Sequence, residues 1–311
     1  MKTAAKRFSK SSAFTLVEML VTVGVIAILV GLLVPALNAV RKTAAVVKQK
    51  AQFAAIEIAV EAFRAESPGF GDYPPSNNND DWCYNPPPYG TEPYTGAQKL
   101  AEALVGRDGF GCHSDSIFAT DGTNAYDGTG TQLYSPTPVV LADRLGPYLE
   151  LEKANAVKLY DIYSSSALSS AELSGDTYVL TDMFGLVTHR GTGKRTGMPI
   201  LYYRADTTKT DHYLAAPGNW SDRYEVSTNI YDYKDNYLFY ALNAPWDTSQ
   251  VHPLRSSGLG GDPTKFYEMT LNPNFTNPPR PYNSQSFILH SAGLDGLYGT
   301  PDDVFNFDEA N

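Results

Sequence analysis

The chain has 311 residues, enough for one large domain or two small ones with a true core. Tyr (21), Pro (21) and Gly (25) are abundant and only 19% of residues are charged, which points to a loop-rich β domain rather than a helical bundle. A net charge of -10 excludes nucleic acid as the main partner, because phosphate binding needs a basic surface; two cysteines exclude a disulfide-dense scaffold and a four-cysteine zinc site.

Residues 1–13 carry Lys2, Lys6, Arg7 and Lys10 and no acid, unlike the acidic remainder. From Phe14 the chain reads FTLVEMLVTVGVIAILVGLLVPAL. Met19 to Leu37 is 19 residues without a charge, enough for a membrane span at about 1.5 Å rise per residue. A cleaved secretory signal has an apolar core of roughly 7–15 residues followed by a small-x-small site, so this longer run is read as retained. Glu18 stands out, since a carboxylate at mid-membrane costs roughly 2.5–3.5 kcal/mol. Either it reaches the interface or it meets a fixed cation. A cut between Ala13 and Phe14 would create that cation, a new α-amino group four residues away. Between two packed helices, amine and carboxylate would set the axial register of neighbouring subunits, because in low dielectric an unpaired partner is strongly disfavoured.

The helical pattern continues beyond the span. Leu37, Val40, Ala44, Val47, Ala51, Ala54 and Ile58 form one apolar stripe, and Phe53, Ile56, Val60 and Phe63 a second, with Arg41, Lys42, Lys48, Gln49 and Lys50 between them. Ser67-Pro68-Gly69 ends the helix. Pro35 removes one backbone hydrogen bond and is expected to kink or locally melt it. The expected division is a leader 1–13, a transmembrane half 14–37, an amphipathic half 38–67 and a globular head 68–311.

In the head, residues 76–94 read as an exposed loop and Gly96 to Val105, GAQKLAEALV, as a short amphipathic helix. Asp121-Gly122-Thr123 and Asp127-Gly128-Thr129 are turn chemistry. Strand-like runs lie at Thr177–Thr181, Ile200–Arg204, Tyr237–Leu242 and Phe287–His290. Strands following a long helix predict an α+β fold, with an antiparallel sheet packed on that helix. Cys83 and Cys112 lie in two loop segments; they are free thiols in a reducing compartment and an expected disulfide outside the cytoplasm, worth roughly 3–4 kcal/mol on a chain-entropy model. The five histidines, 113, 189, 212, 252 and 290, form no HExxH, and His290 reads as a packed or surface residue. Gly191 to Arg195 lacks the first glycine of a phosphate loop and reads as a basic turn. No nucleophile motif appears, so no catalytic residue is assigned and no enzyme is expected. The C-terminal stretch Ser291 to Phe307 gathers Asp295, Asp302 and Asp303 in a Gly-rich loop. Three carboxylates in a closed loop repel unless a cation lies between them, and hard oxygen ligands favour Ca²⁺ over Zn²⁺. A solvated acidic turn is the alternative.

The basic leader, a small residue, FTLVE, some twenty apolar residues and Pro35 together resemble the class III signal of type IV prepilins and type II secretion pseudopilins. The resemblance implies cutting after Ala13 by a prepilin peptidase, N-methylation of Phe14, and pairing of Glu18 with a neighbour's N-terminus. That family usually has Gly before the cut, where this chain has Ala13. Further landmarks resemble the major pseudopilin, the G subunit, in the same order: Tyr73-Pro74, the GAQKLAEALV helix, Gly146-Pro147-Tyr148-Leu149, Asp182-Met183-Phe184-Gly185 (with Phe184 where Trp is usual), and Pro199 to Tyr203. Major pseudopilins are much shorter, leaving insertions around 76–95, 106–138, 152–176 and 205–280. The loop 291–307 is similar to the family's calcium loop. By that match Asp295, Asp302 and Asp303 are ligands, completed by the carbonyls of Ala292 and Leu297 and an oxygen of Thr300. The resemblance implies a structural subunit in the bacterial inner membrane, leader cytoplasmic and head periplasmic. It would polymerise with itself and other pseudopilins on an inner-membrane assembly platform, in contact with lipid, and drive protein export. A type IV pilin or minor pilin acting in adhesion or DNA uptake, and a membrane-anchored binding module or enzyme, are the alternatives.

Overall fold

The computed structural model describes residues 15–66, 71–77, 93–124, 131–134, 141–212, 228–255 and 260–307. Two compact units divide the chain, Met1–Ala44 and Ala45–Asn311. Helix α1 is Leu16–Glu66. In the first unit its apolar side chains all face outward, and the helix is long and apolar enough to cross a membrane. It runs through Pro35 without interruption, so the expected local melting does not occur. The hydroxyls of Thr22 and Thr43 donate back to the carbonyls of Met19 and Ala39, which satisfies them within an apolar stretch.

In the second unit α1 buries Gln49, Gln52, Phe53, Ile56, Ala59, Val60 and Phe63. This is the second of the two sequence stripes, and each enclosed Phe or Ile contributes roughly 1.5–3 kcal/mol. The other stripe stays outside, with Val47 62% and Ile58 73% exposed. Helix α2, Gly96–Val105, is enclosed along its whole length. The N–H and hydroxyl of Thr95 both donate to Oε1 of Gln98, closing its first turn. A side chain at Gly96 would meet the Tyr202 carbonyl at 2.3 Å, so glycine lets α2 lie directly on the sheet.

Strands β1 (Ala156–Lys158) and β2 (Tyr178–Leu180) pair antiparallel. Ile200 N–H donates to Leu180 O at 2.7 Å and so leads β2 towards β3 (Leu201–Arg204). A three-stranded antiparallel sheet follows, with β4 (Phe287–Ser291) central between β3 and β5 (Val304–Phe305). Its register sets Ile288 opposite Tyr203, and His290 opposite both Leu201 and Phe305. Alternation decides the two faces. Leu180, Tyr202, Phe287 and Leu289 pack with Phe53, Ile56, Val60 and Phe63 of α1 and Leu100 and Leu104 of α2. Val179, Leu201, Tyr203 and Ile288 pack into a second, aromatic core. The fold is thus α+β as expected.

One correction follows. Tyr237–Leu242 is not a strand: Tyr237–Ala241 is a helix, α3, entered through a 3-10 turn whose Lys234 N–H bonds to the Asp232 side chain. Leu238, Phe239 and Tyr240 are buried consecutively, which a strand with one wet face would not allow. The stretches 152–176 and 205–280 contribute to the core. Leu159, Ile162, Tyr163 and Leu168 from one, and Tyr231, Tyr233, Phe239, Tyr240, Phe266 and Tyr267 from another, build the second core.

Candidate functional site

The acidic loop joins the central strand β4 to the edge strand β5. Gly293 has φ +67°, and a side chain there would meet the Asp302 carbonyl at 2.1 Å, so the loop's two ends touch only because glycine is present. Asp302 accepts the Asp295 N–H on Oδ2 at 2.9 Å and the Thr300 hydroxyl on Oδ1 at 2.5 Å. Asp295 accepts the Leu297 N–H at 2.8 Å. Burial first, and then the charge of Asp302, push the Asp295 carboxyl up. Burial would raise Asp302 also, but bonds from the Thr300 hydroxyl and from the Asp295 and Leu294 N–H groups outweigh it, and Asp302 is lowered.

Asp303 has a different setting. Its Oδ2 lies 2.6 Å from His290 Nε2 and accepts the Gly299 N–H at 2.7 Å, while Oδ1 faces the Thr300 N–H and hydroxyl at 3.4 and 3.3 Å. Both side chains of this His–Asp pair are enclosed, at 0% and 1% exposure. Among the described residues no three His, Cys, Asp or Glu side chains are grouped as metal ligands. The structure brings Asp295, Asp302 and Thr300 together, with Asp303 linked to them through the Thr300 hydroxyl. Ala292 is buried at the start of the loop, and Leu297 lies midway along it. The donor set is all oxygen, and its carboxylates press on one another, which is the chemistry a hard cation relieves.

A second polar node ties this strand to α1. Asp182 is fully enclosed and accepts the Ser291 hydroxyl at 2.9 Å and the Phe184 and Met198 N–H groups at 3.2 and 3.3 Å. One residue on, Met183 donates its N–H to Gln49 Oε1 at 2.8 Å, and Gln52 Nε2 donates to Thr181 O at 2.9 Å and Ala154 O at 3.4 Å. Sequence patterning places Gln49 on the wet side of the helix. A pair of glutamines three apart beside an apolar stripe is the signal that could have found this latch.

At the N-terminus, Thr15 donates both its N–H and its hydroxyl to Glu18 Oε2, at 2.9 Å each, and receives the Glu18 N–H at 3.3 Å. This is a capping box, readable as Thr-x-x-Glu in the sequence. It gives Glu18 a local role beside the expected one, and both bonds fall on one carboxylate oxygen. Ala13 and Phe14 lie outside the described residues, as does Cys83. Cys112 carries a buried free thiol, which burial pushes above its ordinary range. Asp121-Gly122 is a turn, with Gly122 N–H bonding Ala119 O, while Asp127-Gly128-Thr129 is outside the described residues. Gly191 to Lys194 lie in the turn of a small hairpin that pairs Val187–Thr188 with Arg195–Thr196, so Arg195 already belongs to the second strand.

Residues 8–34 match the prokaryotic N-terminal methylation motif. The motif indicates a type IV pilin-like or pseudopilin-type precursor, of the kind that prepilin peptidase processes and that assembles as pilins do. It covers the last six residues of the leader, with Lys10, and most of the apolar run, and none of the head. No curated protein and no solved structure matches the chain.

Proposed function

We propose that the chain is a structural pseudopilin, which polymerises through α1 into the periplasmic fibre of a type II secretion system and so drives protein export. The observation that carries this reading is the methylation motif with Glu18 inside it, five residues into the expected mature chain. The unused oxygen of Glu18 would receive the methylated amine of an adjoining subunit. The apolar stripe Val40, Val47 and Ile58, which the head leaves exposed, would pack on neighbouring helices. The partners are further copies, other pseudopilins, prepilin peptidase and an inner-membrane assembly platform.

A calcium ion in the 291–307 loop belongs to the same proposal. Asp295, Asp302, Asp303 and Thr300 would hold it, with the Ala292 and Leu297 carbonyls. The ion would neutralise the carboxylates and fasten β5 to β4. This end favours the secretion reading over a type IV pilin, whose C-terminal loop is often bounded by a disulfide; Cys83 and Cys112 are far upstream. Mass spectrometry of the mature protein tests the assignment: residues 1–13 are expected to be absent and the Phe14 amine methylated. Glu18→Leu is expected to remain in the membrane but to be missing from fibres seen by electron microscopy. An intact leader, or normal fibres from that variant, would overturn the proposal.

A further inference from the structure

We infer that His290 is a positioning residue for the loop's third carboxylate: it holds one oxygen of Asp303 so that the other faces Thr300 and Asp302. The inference rests on the calcium reading above. His290 lies on the central strand, stacked on Phe305 (centroids 4.5 Å apart, planes at 15°) and against Tyr298 (5.4 Å, 71°). Enclosed by two rings, the imidazole has no room to turn. Its Nε2 is 2.6 Å from Asp303 Oδ2. A carboxylate oxygen accepts in this contact, so Nε2 carries the hydrogen that joins the two side chains. With Oδ2 also taken by the Gly299 N–H, Asp303 has Oδ1 to offer. That oxygen lies 3.3 Å from the Thr300 hydroxyl, which in turn donates to Asp302 Oδ1 at 2.5 Å. Two carboxylate oxygens from adjacent residues therefore face one hydroxyl.

A second histidine packs against the same tyrosine ring. His252 is fully buried and accepts the Tyr298 N–H on Nδ1 at 3.2 Å, so its Nε2 bears the hydrogen. Among the described residues, His252 Nε2 and His290 Nδ1 are both buried without a hydrogen-bond partner, on rings that pack against the same Tyr298. His252 comes from the stretch 205–280, so this loop is buttressed by a part of the chain some forty residues before it. Partners that orient metal ligands from behind typically change affinity 10–100-fold when removed.

The test is calcium titration of the full-length protein in detergent by isothermal calorimetry, with melting of the calcium-free form recorded alongside. His290→Phe keeps the stack on Phe305 and loses the donor; His290→Gln retains an N–H at the reach of Nε2. The Phe variant is expected to bind Ca²⁺ about 10–100-fold more weakly, and the Gln variant within about threefold of the parent. Equal or tighter binding by the Phe variant overturns the inference while leaving the calcium site standing. No binding by the parent overturns the calcium reading itself. Should the Phe variant fail to fold, ¹⁵N spectra of the parent's histidine rings decide: His290 as the Nε2–H tautomer is expected, and the Nδ1–H tautomer refutes the inference.

Discussion

The carboxyl of Asp182 is completely enclosed, and burial raises its pKa to about 7 against the pull of hydrogen bonds from Ser291, Phe184 and Met198 that favour its charged form. In the unfolded chain it would titrate near 4. A folded pKa above the unfolded one means the acid's contribution to stability is complete below about pH 4 and is lost as pH rises through about 7. Over that window the loss is at most about 1.4 kcal/mol per pH unit. Asp182→Asn keeps the shape and removes the titration. Urea unfolding at pH 5 and pH 8 is expected to show a smaller drop for this variant than for the parent; parallel drops would mean that Asp182 ionises without penalty. The landmark around this residue was visible in the sequence as Asp-Met-Phe-Gly. Its burial was not, because the enclosing groups, Ser291 and Met198, come from distant segments.

At the scale of elements, the two apolar stripes of α1 are readable from spacing alone. Which stripe the head covers does not follow from period, since both are helical, although the second carries two phenylalanines and the first three alanines. The structure answers that: Ile56 is fully enclosed and Ile58 lies 73% exposed, two residues apart. The pair therefore separates folding from assembly. Ile56→Ala is expected to destabilise the head by about 2–4 kcal/mol in denaturant melts. Ile58→Ser is expected to shift those melts by no more than about 0.5 kcal/mol, yet to deplete the protein from sheared fibres. Equal fibre yield from Ile58→Ser would show that this stripe meets no neighbour. The misread segment Tyr237–Leu242 has a plain cause. A run of Tyr, Leu and Phe has strand composition, but its side chains are needed on successive positions of one buried helix turn.

For the whole molecule, the acidic loop closes the chain onto the middle of its sheet, so its occupancy bears on the stability of the entire head. With calcium at about 100 times its dissociation constant, linkage adds about 2.7 kcal/mol, or roughly 5–10 °C in a domain of this size. EDTA is expected to lower the melting temperature by that amount, and Asp302→Ala to melt alike with and without chelator; an EDTA-insensitive parent would refute the calcium proposal. The loop's oxygens could be read from composition and likeness, whereas the histidine behind Asp303 could not, because a lone His in a strand carries no spacing signal. The glutamine latch has a mechanical side. Were α1 pulled along its axis, the load would reach the head through Gln49 and Gln52 and the rings of Phe53 and Phe63, which the head encloses together. Contacts loaded in this way share the strain and must yield together, unlike a zipper that opens tooth by tooth. A rod seated like this is suited to being hauled upon.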